Sequence, residues 1–226
     1  MEYFWYHRPG RPPAPIRRPG DRSPSPQLCV SCTQTGLPAG RQKALVDEWC
    51  DTLPALGDVT ELWLSSKVPQ ELFDAACRMP NLTGLWIKWS SAKNIDSLQQ
   101  ATRLQQLHIG SATSLGSIEP LRQMPGLKWL GLENVKLVTD IRAVGSLTSL
   151  EGLTLEGSMW TPWTVDTLAP LAALLELKYL SIANLRAKDR TLAPLFAARK
   201  LEQFISATWW DEGELAELRR RVSVAK

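Results

Sequence analysis

A sevenfold recurrence of one aliphatic spacing constrains this chain more than any other feature. VTELWLS from Val59, LTGLWIK from Leu82, LQQLHIG from Leu104, LKWLGLE from Leu127, LEGLTLE from Leu150, LKYLSIA from Leu177 and LEQFISA from Leu201 align on the pattern LxxLxL. Their starts lie roughly 22 to 27 residues apart, a period that belongs to stacked arrays. Within each segment the second and third aliphatic positions alternate with other residues, which is the period of a strand. The aliphatic residues then point inward and the intervening ones outward. A second apolar pair follows each strand at i, i+3 spacing: Ile95/Leu98, Ile118/Leu121, Ile141/Val144, Leu168/Leu171 and Leu192/Leu195. That spacing sets both side chains on one side of a helical turn. Pro120, Pro170 and Pro194 directly precede the second member of three pairs, where a first helical turn tolerates proline. A single unit cannot bury either set. Stacked units bury them against each other, as a curved parallel sheet backed by short helices.

The recurring LxxLxL with its following I-x-x-L, as in Ile118-Glu-Pro-Leu121, resembles the leucine-rich-repeat family over residues 59–207. It is nearest to the short, 22-residue, internalin-like class. The resemblance implies an α/β solenoid: a curved parallel sheet on the concave side, short helices on the convex side and helical caps. It also implies that the concave sheet is the recognition surface. One departure stands out. The family places asparagine or cysteine at the ninth position, where the side chain bonds buried turn backbone. Here that position holds Lys67, Ser90, Ala112, Val135, Ser158, Leu185 and Trp209, while Asn134 and Asn184 stand one residue early. Either the turn after the strand differs or no asparagine ladder exists.

Both ends depart from the period. Residues 1–40 are rich in Pro, Arg, Gly and Ser, and proline removes donors and fixes φ, so a disordered extension is expected there. Residues 41–58 follow as an amphipathic amino-terminal helical cap, with Leu45, Val46, Trp49 and Cys50 on one face. The array occupies 59–208. Residues 209–226 form a carboxy-terminal helical cap, started by Asp211 and running through Leu215 and Leu218, with Trp209 and Trp210 over the open end of the core.

Composition removes several classes of function. No run of about 18 apolar residues occurs, so no membrane partner is expected. The start MEYFWYHRPGRPP lacks the layout of a secretory leader, and four cysteines make no disulfide scaffold, so a cytoplasmic location is expected. Basic residues concentrate in the first 41 positions and the remainder is nearly neutral, which argues against nucleic acid as a partner. Cys29-Val-Ser-Cys32 is a single CxxC in the extension, read as two free thiols. Cys50 and Cys77 fall in apolar stretches, and His7 and His108 are isolated, so no metal and no cofactor are expected. No phosphate-cradling loop, nucleophile elbow or zinc-protease motif appears.

The outward strand positions are the candidate site. Between the two strand aliphatics stand Trp63, Trp86, His108, Gly131, Thr154 and Ser181. The residue before each pair is Glu61, Gly84, Gln106, Trp129, Gly152 and Tyr179, and the residue after it is Ser65, Lys88, Gly110, Glu133, Glu156 and Ala183. Outward-facing Trp63, Trp86, Trp129 and Tyr179 would leave a large apolar area wet, which marks an interaction surface unless the amino-terminal arm, with Tyr3, Phe4, Trp5 and Tyr6, or a cap folds over it. Glu133 and Glu156 share one position in neighbouring units, and on a flat, solvated face they would recognise a basic partner, with Lys88 adding mixed sign. The resulting expectation is a non-catalytic, monomeric module that binds another protein through Trp63, Trp86, Lys88, His108, Trp129, Glu133, Glu156 and Tyr179. Two further readings stand beside it. One is a secreted or translocated bacterial effector acting by protein binding. The other is a carbohydrate-binding or glycoside-cleaving protein using Glu133 and Glu156. Homodimerisation through the tryptophans is a third, structural possibility.

Overall fold

The computed structural model describes residues 12–206 and 209–224. One eight-stranded parallel sheet runs in chain order: β1 (Gln27–Val30), β2 (Glu61–Val68), β3 (Gly84–Ser90), β4 (Gln106–Ile109), β5 (Trp129–Glu133), β6 (Gly152–Glu156), β8 (Tyr179–Ile182) and β10 (Gln203–Ser206). Two short strands, β7 (Trp163–Val165) and β9 (Leu185–Ala187), pair with each other on the flank. Each connection between sheet strands carries a helical element, and the first adds a short 3-10 turn at Leu53–Ala55. The first two are α-helices, α1 (Ala39–Thr52) and α2 (Gln70–Cys77). The next five are 3-10 turns at 96–100, 119–123, 144–146, 169–173 and 193–197. The chain ends in α3 (Glu212–Val224).

The core follows the sequence period. Leu62/Leu64, Leu85/Ile87, Leu107/Ile109, Leu130/Leu132, Leu153/Leu155 and Leu180/Ile182 are buried on the inner side of successive strands. All five i, i+3 pairs meet them from the helical side and are buried as well. Pro120, Pro170 and Pro194 lie in the first turn of their 3-10 segments, where their missing N–H is not needed. Removal of these side chains from water, at about 25 cal/mol per Å², is the dominant favourable contribution to stacking.

The amino-terminal division differs from expectation. Within the segment 1–40 expected to be disordered, residues 12–40 take up defined positions. Gln27–Val30 pairs in parallel with β2, Gln27 opposite Glu61 and Val30 opposite Leu64. Ile16 bridges to Val30 on the outer edge. Leu28, Val30 and Cys32 alternate into the core, which outweighs the flanking prolines and serines. The CxxC thiols are free, but Cys29 and Cys32 are buried in the fold and do not sit on a loose arm. Burial pushes the Cys32 thiol up to about 11 and raises that of Cys29. The helix expected as a cap over 41–58 is α1, the helical backing of this additional first rung. Leu45, Val46 and Trp49 are buried, Cys50 is half-buried, and the Trp49 indole donates to the Arg17 carbonyl at 2.8 Å.

The far end of the sheet is followed by α3. Asp211 accepts from the Glu214 N–H at 2.9 Å, and Trp210, Leu215 and Leu218 close the core. The Glu214 carboxylate reaches back to the last repeat, accepting from Thr191 Oγ1 at 2.8 Å and from the Leu192 N–H at 2.6 Å.

The turn after the strand departs from the ninth-position pattern. Ser111, Asn134 and Asn184 occupy the eighth position with φ of 47°, 59° and 53°, a left-handed conformation that asparagine tolerates better than most residues. The Asn184 amide donates to the Ser158 carbonyl of the preceding unit. The unit that begins at Leu150 is longer than its neighbours on either side, and its extra residues form a loop where Met159 and Trp160 are 84% and 86% exposed. Trp163 then returns to the core and donates to the Val138 carbonyl at 2.6 Å.

Candidate concave recognition surface

Strand register assembles the outward residues into continuous rows. Cys29, Trp63, Trp86, His108, Gly131, Thr154, Ser181 and Ile205 are direct partners across the eight strands. Gln27, Glu61, Gly84, Gln106, Trp129, Gly152, Tyr179 and Gln203 form the row before it. Glu133 and Glu156 are partners in the row after it. A parallel sheet holds these neighbours about 4.8 Å apart, so side chains in one row touch.

The rings in these rows lie over glycines of the following strand. His108 leans over Gly131: a methyl group at 131 would meet its imidazole. Trp129 leans over Gly152, and its six-membered ring occupies the space a side chain at 152 would fill. Trp86 stacks on His108 with ring centres 5.7 Å apart and planes 17° apart. Trp129 meets Tyr179 at 6.2 Å. The rings thus form a tiled surface with ring faces on it, which is how aromatic groups gain attraction beyond area burial. The glycine positions were visible among the outward residues, but their use as floors depends on adjacent rows and was not apparent.

The surface is drier than outward tryptophans suggest. Trp63 is 0% exposed and Tyr179 is 1% exposed, while Trp86 and Trp129 are half-buried. Cys29 and Trp63 form a small apolar cluster of their own, separate from the main core, with Trp86 and Trp129 packed against it. Lys88 stands apart from the rings, exposed, with its ammonium 4.2 Å above the Trp89 ring.

The carboxylates are likewise only half solvated. Burial raises the Glu133 carboxyl, and the charge of Glu156 raises it further. Burial also raises Glu156, against the hydrogen bond it accepts from Ser181 Oγ. The Tyr179 hydroxyl is pushed up to about 12 by burial and by Glu156. The expectation of a flat, wet pair is therefore corrected: both groups are partly buried, so each proton is held more tightly. At the outer end of the first rows Gln27 Nε2 donates to Glu61 at 3.0 Å.

A second concavity, of about 460 Å³, lies beyond β9, lined by Thr164, Arg186, Ala187, Lys188, Arg190, Trp209 and Trp210. Arg186 stacks on Trp209 at 4.7 Å and Lys188 pairs with Asp166 at 2.6 Å. The flanking strands that build it carry no LxxLxL signal. Among the described residues no group of three or more His, Cys, Asp or Glu is placed to hold a metal, and no helix is long and apolar enough to cross a membrane.

Eight parallel strands, one per turn, with a helical element behind each, define a leucine-rich-repeat solenoid. Among solved structures, an internalin C2 of Listeria monocytogenes matches at TM-score 0.56 with 19% identity, over 74% of this chain and 70% of that one. An internalin of the same organism matches at TM-score 0.46 and 20% identity, over 67% of this chain and 55% of that one. A leucine-rich-repeat protein of Leptospira interrogans matches at TM-score 0.48 and 16% identity, over 78% and 56%. No family model matches the sequence, and no curated protein matches it. The likeness is one of fold.

Proposed function

We propose that this chain is a non-catalytic binding module whose concave face recognises another protein. The half-buried rings of Trp86 and Trp129, set among the buried Trp63, His108 and Tyr179, support this reading most directly. Rings seated on glycine floors are rigid before any partner arrives, so little side-chain freedom is lost on contact. Tryptophan and tyrosine are also the side chains that dominate protein interfaces energetically. Glu133 and Glu156 at the edge of the rings favour a partner that brings a cation or a hydrogen-bond donor, which would relieve their mutual repulsion.

Affinity capture with the intact protein, compared with a Trp86→Ala/Trp129→Ala variant of matching circular dichroism, tests the proposal. The expected result is a partner retained by the first, lost by the second, and confirmed with purified components. Retention by both would remove the aromatic row from the reading.

One observation favours carbohydrate as a second reading: a half-buried carboxylate pair on the same face as the half-buried rings of Trp86 and Trp129. Glycan-array binding abolished by Glu133→Gln and Glu156→Gln would support it, and an empty array would eliminate it.

A further inference from the structure

The flanking strands carry positive charge that no described carboxylate neutralises. β7 and β9 share one alternation: Trp163, Val165, Leu185 and Ala187 are buried, and Thr164 and Arg186 between them are exposed. Thr164 and Arg186 are direct partners, so their side chains leave the same face about 4.8 Å apart. Both line the concavity of about 460 Å³ beyond β9, as do Lys188 and Arg190. Arg190 has φ of 55°, and its N–H donates to the Ala187 carbonyl at 3.2 Å in the turn that follows β9. A left-handed conformation is unfavourable for a residue bearing a Cβ, and residues held that way gather at ligand sites.

The wall is built before any ligand arrives. The Arg186 guanidinium lies 4.7 Å from the Trp209 ring centre, and the Trp209 indole is itself fixed by donating to the Leu185 carbonyl at 2.8 Å. Trp210 completes the wall at 4% exposure, and its indole N–H has no acceptor among the described residues. A buried donor without an acceptor is costly, and such groups are rare away from sites that use them.

The nearby carboxylates are already engaged. Asp166 accepts from Lys188 at 2.6 Å and from Thr139 Oγ1 at 3.0 Å, and Asp189 accepts from Thr167 Oγ1 at 2.6 Å. Neither Arg186 nor Arg190 forms an ion pair with a described residue, which leaves two guanidinium charges on the concavity.

We infer that this concavity binds a phosphomonoester, with its phosphate on Arg186 and Arg190 and its organic body against Trp209 and Trp210. A guanidinium fork matches two phosphate oxygens, and the Thr164 hydroxyl stands beside that of Arg186 as a further donor. A phosphomonoester carries about −1.5 to −2 near pH 7, which balances two guanidinium charges, whereas a single carboxylate balances one. Inorganic phosphate would leave most of the space unfilled, since cavities of about 300–1,000 Å³ hold whole small molecules. The site uses none of the concave-row residues and does not depend on the reading of that face.

Titration calorimetry of the full chain with phenyl phosphate, inorganic phosphate and benzoate, at low ionic strength and pH 7, tests the inference. Phenyl phosphate should bind saturably at one site, and the other two about tenfold more weakly or less. Arg186→Gln and Arg190→Gln should each weaken phenyl phosphate about tenfold, as for loss of one charge-assisted hydrogen-bonded contact. Lys88→Gln, on the concave side, should leave it unchanged. Arg190→Gln keeps the test decisive if Arg186→Gln, which loses the stack on Trp209, fails to fold. No saturable binding of phenyl phosphate, or equal binding by the unaltered chain and Arg190→Gln, would overturn the site. Benzoate binding as tightly as phenyl phosphate would overturn the phosphate, and inorganic phosphate binding as tightly would overturn the organic body.

Discussion

The Trp129 indole lies over Gly152 of the next strand, in the space any side chain at 152 would take. Gly152→Ala is therefore expected to act on Trp129 and to leave the sheet intact. The obstacle is a side chain that can swing outward, so stability should change by less than about 1 kcal/mol, as at most sites away from the core. Partner binding should fall about tenfold, as for removal of one interface anchor worth roughly 1.4 kcal/mol. Urea unfolding and titration calorimetry check the two halves separately.

Gly110 offers the contrasting case. A methyl group there would meet the Lys88 carbonyl oxygen and lie 2.9 Å from that of Ile87, both backbone. Because the strand itself must move, Gly110→Ala should cost about 1–3 kcal/mol. An unchanged urea midpoint would refute the assigned register of β3 and β4.

Trp163→Phe tests the long unit. It removes the bond to the Val138 carbonyl and part of a fully buried ring. A loss of about 2–4 kcal/mol is expected, from a vacated volume plus an unpaired buried carbonyl. Trp160→Ala, in the exposed loop just before it, should leave the midpoint unchanged within about 0.5 kcal/mol.

The carboxylate pair sets a pH dependence. Both Glu133 and Glu156 are raised above the ordinary value of 4.5, so the folded state holds their protons to higher pH than the unfolded chain does. Between the unfolded and folded values the native state binds more protons, and stability falls as pH rises. The penalty is complete above the folded values and absent below 4.5. Glu133→Gln should accordingly raise the melting temperature at pH 7 and make no difference near pH 4. A gain that persists at low pH would point to packing instead of charge.

The carboxy-terminal cap gives the last prediction. Glu214→Ala removes acceptors from Thr191 Oγ1 and the Leu192 N–H. A cost of about 1–3 kcal/mol is expected in urea, with binding to the concave face unaltered.

How much of this was legible depends on what each residue's role requires. Leu85, Leu107 and Leu130 declare their strands because alternation and a fixed period suffice to assign a side. Leu28 and Val30 do the same work in β1, but the motif's opening aliphatic position there holds Ser25, and the surrounding prolines and arginines mask a four-residue strand. The outward positions of Trp63, Trp86 and Trp129 were legible for the same reason as the leucines. Their burial was not, because alternation gives a direction and says nothing about what lies on that side. The roles of Gly131 and Gly152 appear only once His108 and Trp129 are set beside them in neighbouring rows. The raised carboxyls of Glu133 and Glu156 depend in turn on that covered environment.

The backing of the sheet thins along the chain, from fourteen residues in α1 to eight in α2 and then to 3-10 turns of three to five residues. A full α-helix needs about 10 Å of lateral room, twice the roughly 4.8 Å between strands. The rungs must therefore fan apart most at the amino-terminal end, and the arc has its smallest radius there. On that geometry Trp63 and Trp86 should line the more sharply bent part of the inner face, and Thr154 and Ser181 a flatter part.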